Sequence, residues 1–112
     1  MKCALPRPPV VLGVNGERLA RIAGRRTQGV NVRATSDKAR DVITSFVDEW
    51  RQSGSTGEPH ATVWDFFDEA LLIPDNPKIA EWRSWGVNRA ILIMYEAIDV
   101  ARIARAGKLL AS

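Results

Sequence analysis

The chain has 112 residues, enough for one domain, and 46% of them are hydrophobic, enough to build a core. With 26% charged residues and a net charge of +3, it is neither a disordered acidic tail nor a wholly basic one. A single Cys and a single His exclude an internal disulfide and a Cys/His zinc cluster.

The charge is unevenly placed. Residues 1–40 hold nine Lys/Arg against two acids, a net of +7, whereas residues 41–80 hold two Lys/Arg against eight acids, a net of −6. The basic third either meets an anionic partner or is neutralised by the acidic third within the fold. Met1-Lys2-Cys3 is followed by prolines, and the apolar run Val10 to Val14 is too short for a signal core or a membrane span, so the expected compartment is the cytoplasm. Cys3 has no neighbour that would clearly lower its pKa and reads as inert.

In chain order, residues 4–9 are proline-rich and extended. Val10 to Val14 reads as a short strand, and Asn15-Gly16 as a turn. Glu17 to Ala23 places Leu19, Ile22 and Ala23 on one side of a short helix that Gly24 can end. Val30, Val32 and Ala34 then alternate with Asn31, Arg33 and Thr35, the period-two pattern of a strand over about 28–35. Ser36 as cap, with Asp37 in the first turn, opens an amphipathic helix over about 37–52, its apolar stripe formed by Ala39, Val42, Ile43, Phe46, Val47 and Trp50.

The stretch Ser53 to Pro59 is a loop. Thr62, with Asp65 three residues on, resembles a capping box and predicts an apolar helix through Leu72. Asn76 and Pro77 predict a further helix over about 77–85. Beyond Gly86, a last helix over about 87–106 carries two apolar stripes and ends at Gly107. A helix so broadly apolar belongs to a core or a dimer interface. The predicted fold is therefore mainly α: a strand at about 28–35 followed by a compact bundle of three to five helices, in one domain spanning 1–112. Within it, residues 1–28 form a basic extension with a short helix, and 77–106 form the C-terminal helices. Whether 77–85 and 87–106 are one bent helix stays open.

No catalytic constellation emerges. His60 sits in a loop without a visible partner, and Asp65, Asp68 and Glu69 read as a solvated helix face. Gly13 and Gly16 form only a fragment of a phosphate loop, with no Gly-Lys-Ser/Thr to finish it. No cofactor, metal or small-molecule substrate is expected, and the chain reads as a non-enzyme.

Strand, capped helix, loop, capped helix over residues 29–73 resembles the ribbon–helix–helix DNA-binding family. The local match, Gly29-Val30-Asn31-Val32-Arg33-Ala34, is similar to the Arc-type strand of the form Gln-x-Asn-x-Arg. The resemblance implies a homodimer that pairs two strands into an antiparallel ribbon and inserts it into the DNA major groove. Asn31, Arg33 and Thr35 would then read bases, and Arg25, Arg26 and Lys38 would meet phosphates. The helix start at Thr62 would hold a further phosphate. This makes a repressor or accessory factor of phage or plasmid origin, binding duplex DNA, the first expectation. The alternative is a phage or mobile-element inhibitor or adaptor that binds a host protein complex. It would use Trp82 or Trp85 as anchors, or the acids from Asp65 to Asp75 as a nucleic-acid mimic.

Overall fold

A computed structural model describes residues 8–94 and 100–111. Strands and helices alternate through it: β1 (Val11–Gly13), α1 (Glu17–Arg26), β2 (Gly29–Arg33), α2 (Ala39–Gln52), β3 (His60–Phe66), a short 3-10 turn (Glu69–Leu72), α3 (Pro77–Trp85), β4 (Arg89–Ile93) and α4 (Val100–Ala111). The strands form one parallel sheet in the order β1-β2-β3-β4. This corrects the expected fold class. The molecule is α/β, not a strand with a helical bundle, and it does not contain a ribbon–helix–helix core.

The order of strands dictates where the helices go. Each parallel connection crosses over with the same hand, so adding strands in sequence sends every crossover helix to one face. α1 packs on α2 and α2 on α3, side by side over that face. Val30 and Val32 of β2, and Ala61 and Val63 of β3, point into it and are buried. Above them, α2 contributes the stripe read from the sequence: Ala39, Val42, Ile43, Phe46, Val47 and Trp50 are all buried. Each large side chain of that set stabilises the fold by roughly 1.5–3 kcal/mol. Gly24 does not end α1. It lets α1 lie close on α2, because a Cβ there would stand 2.6 Å from Glu49 Cβ and 2.9 Å from the Phe46 carbonyl.

Two predicted helices prove to be strands or to contain them. His60–Phe66 is a central strand, so Thr62 is not a helix cap but a buried mid-strand residue. Arg89–Ile93 pairs with β3, within the span predicted to be one long helix. Ala90–Ile93 is a continuous apolar run, and Ala61, Val63, Trp64 and Phe66 fit a helix as well as a strand, so neither segment is told from a buried helix by pattern alone. Gly107 lies within α4 rather than after it. Cys3, residues 4–7 and residues 95–99 of the expected last helix lie outside the described residues.

Other sequence signals hold in the fold. Asn76 Oδ1 accepts from the Lys78 N–H at 2.9 Å, with Pro77 at the first helical position of α3. Gly86 ends α3 in the left-handed region at φ 106°, separating it from β4. Asn76→Ala is expected to lower stability by about 1 kcal/mol, the usual worth of such a cap. Urea unfolding checks this, and an unchanged midpoint would mean that Pro77 and packing alone fix the helix start.

Candidate functional site

In parallel α/β sheets the loops after the carboxyl ends of the strands gather at one edge, where ligands of such folds bind, in open sheets at a reversal of strand order that the order β1-β2-β3-β4 lacks. Here that edge is made, among the described residues, by the turn from Gly13 to Gly16, the turn from Arg33 to Lys38, the residues after Phe66, and Met94.

The first turn joins β1 directly to the start of α1. Gly16 is the N-cap of α1, and no side chain caps the helix. The first N–H groups of such a helix point outward with the positive end of its dipole. A Cβ at Gly13 or Gly16 would meet nothing within 4 Å, so the approach to this turn is open. Val14 is buried and its N–H donates to the Asn31 carbonyl at 3.1 Å, which ties the turn to β2. Glu17, exposed in the first turn, and Arg18 flank it.

Beside it lies the face of the sheet opposite the layer of α1, α2 and α3. By strand alternation this face carries Val11, Gly13, Asn31, Arg33, Thr62, Trp64, Phe66, Arg89, Ile91 and Ile93. At its carboxyl end Arg33, on β2, lays its guanidinium over two rings of β3, 5.2 Å from the Trp64 centroid and 5.5 Å from that of Phe66. The rings meet edge to face, 5.9 Å apart at 85°. Gly13 pairs with Asn31, two residues before Arg33, so the glycine turn and the arginine are about 7 Å apart along the strand. A cation, an aromatic wall and an uncapped helix start thus share one edge.

The structure divides the residues expected to bind DNA. Asn31 and Arg33 lie on the face of β2 turned away from that helix layer, and β2 is an inner strand with parallel neighbours on both sides. They cannot form a protruding two-stranded antiparallel ribbon. Thr35 and Lys38 lie in the turn at the carboxyl edge, where the Lys38 N–H donates to Ser36 Oγ at 3.3 Å. Arg25 and Arg26 lie at the far end of α1, by the amino edge, about 15 Å away along β2. Arg25 pairs with Glu49 at 3.5 Å, so part of the basic third meets the acidic third inside the fold. Thr62 is buried on β3, between β2 and β4. Of the expected protein anchors, Trp82 is buried in the core and Trp85 packs against it.

In the sequence Trp64 and Phe66 read only as apolar helix residues, and no signal there places them beside Arg33. The glycine turn does leave a signal, since Gly13 and Gly16 stand out as a loop fragment. What gives that fragment meaning is the strand before it and the helix after it.

The molecule also has a concavity of about 420 Å³, lined by Val47, Trp50, Arg51, Ser55, Gly57, Glu58, Pro59, Gly86 and Asn88. It lies at the amino edge of the sheet, where Asn88 bonds the Ala61 N–H and the Pro59 carbonyl and so fastens the loop entering β3. That chemistry holds a loop in place. Among the described residues there is no cluster of His, Cys, Asp and Glu able to hold a metal, and no helix long and apolar enough to cross a membrane. No family model, curated protein or solved structure matches the chain.

Proposed function

We propose that the carboxyl edge of the sheet binds a small ligand that carries a phosphate and a planar ring, the chemistry of a flavin or nicotinamide mononucleotide. The observation that carries this is the Gly13–Gly16 turn, which follows a parallel strand and opens an uncapped ten-residue helix. The phosphate sits at the start of α1, and the ring lies toward Trp64 and Phe66. Arg33 stands between them and can leave its aromatic platform to pair with a phosphate oxygen. The chain contributes position and electrostatics, and any redox chemistry belongs to the ligand. This reading departs from the expectation of a non-enzyme without a small-molecule substrate, and places the chain among cofactor-binding α/β units acting in the cytoplasm.

Titration of flavin mononucleotide, with tryptophan fluorescence as the signal, tests it. Saturable quenching, competed by inorganic phosphate, is the expected result. Arg33→Ala is expected to weaken binding about tenfold, the worth of one charge-assisted contact. Absence of saturation at millimolar ligand, or indifference to both Arg33→Ala and Gly16→Asp, would sink the proposal.

The expectation of a protein partner retains a carrier of its own, the exposed apolar side chains Ile91 and Ile93 on β4. Duplex DNA retains the exposed arginines of α1 as non-specific phosphate contacts, and its mark would be a steep fall of affinity with salt.

A further inference from the structure

We propose that the outer edge of β4 binds an extended acidic segment of another protein, which joins the sheet as a fifth strand. The inference stands apart from the ligand reading, since it rests on β4 and on arginines at the amino end of that strand.

The two edges of the sheet are unlike. β1 is only three residues long, and Gln28 Oε1 accepts from the Val10 N–H beside it at 2.7 Å. β4 is five residues long, and among the described residues no strand lies beyond it. The Ile93 carbonyl accepts from the Phe67 N–H at 2.9 Å, so Ile93 and, two residues back, Ile91 turn their backbone groups toward β3. By alternation, the N–H and C=O groups of Ala90 and Leu92 turn to the open side. β4 holds no proline, and its one charge, Arg89, stands at its first residue, so little guards that edge. Its side chains can also be reached: Arg89 and Ala90 are exposed, and Ile91 and Ile93 keep 43% and 39% of their surface open.

Next to this edge, between α3 and β4, is a hollow of about 170 Å³ whose lining includes Ile79, Trp82, Arg83, Val87 and Ala90. An unpaired strand edge with a side-chain hollow beside it suits an extended peptide, because backbone bonds give affinity and the hollow gives specificity. Charge names the occupant. Arg83, on α3, and Arg89 are both exposed, and neither takes part in an ion pair among the described residues. Residues 82–94 contain no acid, so a second copy joined edge to edge would bring arginines and no partner for them. An acidic strand supplies that partner. Ala90 lies on the helix side of the sheet with Val63, its neighbour on β3, and Arg89 lies on the opposite side. An antiparallel strand often edges an otherwise parallel sheet. In such a strand a Glu opposite Ala90 enters the hollow toward Arg83, and an Asp next to it, opposite Arg89, meets that arginine. Apolar residues opposite Ile91 and Ile93 cover those two side chains.

The probe is a fluorescently labelled peptide, Val-Thr-Val-Glu-Asp, titrated with the full chain and followed by anisotropy. Saturable binding is expected, weakened at least about tenfold when Lys replaces both acids, the worth of one charge-assisted contact. With Arg83→Glu and Arg89→Glu combined, the preference is expected to reverse in favour of the lysine peptide. Ala90→Pro separates strand pairing from charge attraction alone. It removes an N–H that faces the open side, a place where an edge strand tolerates proline, so circular dichroism is expected to stay unchanged while binding is lost. If Ala90→Pro unfolds the chain, the charge exchange decides. No saturation at about 1 mM protein overturns the proposal. So does equal affinity for the lysine peptide, or binding that survives Ala90→Pro in a folded chain. Failure of peptide binding leaves the ligand reading standing, because Arg33 and the glycine turn lie at the other end of the strands.

Discussion

Gly29→Gln is expected to destabilise the protein by about 3 kcal/mol, lowering its melting temperature by roughly 15 °C. The cause is the spacing of β2 and β3. Gly29 pairs with His60, and a Cβ on Gly29 would stand 2.5 Å from the His60 carbonyl oxygen, 2.6 Å from His60 Cβ and 3.1 Å from Val11 Cγ2. Two of these are backbone-fixed positions, which cannot turn aside as a long side chain can. The strands must therefore separate where the ladder begins. Gly29→Ala carries most of the effect, because the first carbon is the one that clashes. The same substitution discriminates between folds. In the ribbon–helix–helix resemblance Gln at 29 completes the Gln-x-Asn-x-Arg pattern, and position 29 faces outward. Thermal melting of Gly29→Gln separates the two: a melt like that of the wild type, with a gain in duplex affinity, would overturn the parallel pairing of β2 with β3.

The parts of the fold legible in the sequence are those with a local cause. The stripe of α2 repeats every three or four residues over fourteen positions and is buried as read. β2 alternates, and the α3 start has its Asn-Pro cap. The segments that mislead are those in which tertiary context makes the choice. In His60–Phe66 the apolar residues Val63, Trp64 and Phe66 fall on both faces of a strand, and they also fit a helix. Thr62 with Asp65 looks like a cap, although Thr62 is buried between neighbouring strands. Parallel partners are distant in sequence, since β2 and β3 are joined only through α2 and its loop, and no local pattern announces such a pairing.

The candidate site is legible in pieces rather than as a whole. Arg33 stands out in the sequence for its charge and Gly13 and Gly16 for their spacing, yet each points there to a different chemistry. Only the sheet register brings them to one edge: Gly13 beside Asn31, and Arg33 beside Trp64. The same register moves Arg25 and Arg26 away, because a helix that follows a parallel strand runs back to the opposite edge.

Val63→Pro is expected to abolish cooperative folding, a loss of about 4 kcal/mol or more from a total stability of roughly 5–15 kcal/mol. Val63 is fully buried in the middle of β3, paired with Val32 on one side and Ala90 on the other. Proline there removes a ladder donor from an inner strand and sets a rigid ring against the neighbouring backbone. It also replaces a β-branched side chain that fills space beneath α2. Had residues 62–72 formed a helix capped by Thr62, position 63 would be its first residue, where proline is welcome. The two architectures therefore predict opposite signs for one substitution. Circular dichroism with urea unfolding reads the difference directly. A folded Val63→Pro variant with an unchanged unfolding midpoint would remove β3 from the centre of the sheet, and with it the edge on which Arg33, Trp64 and the glycine turn converge.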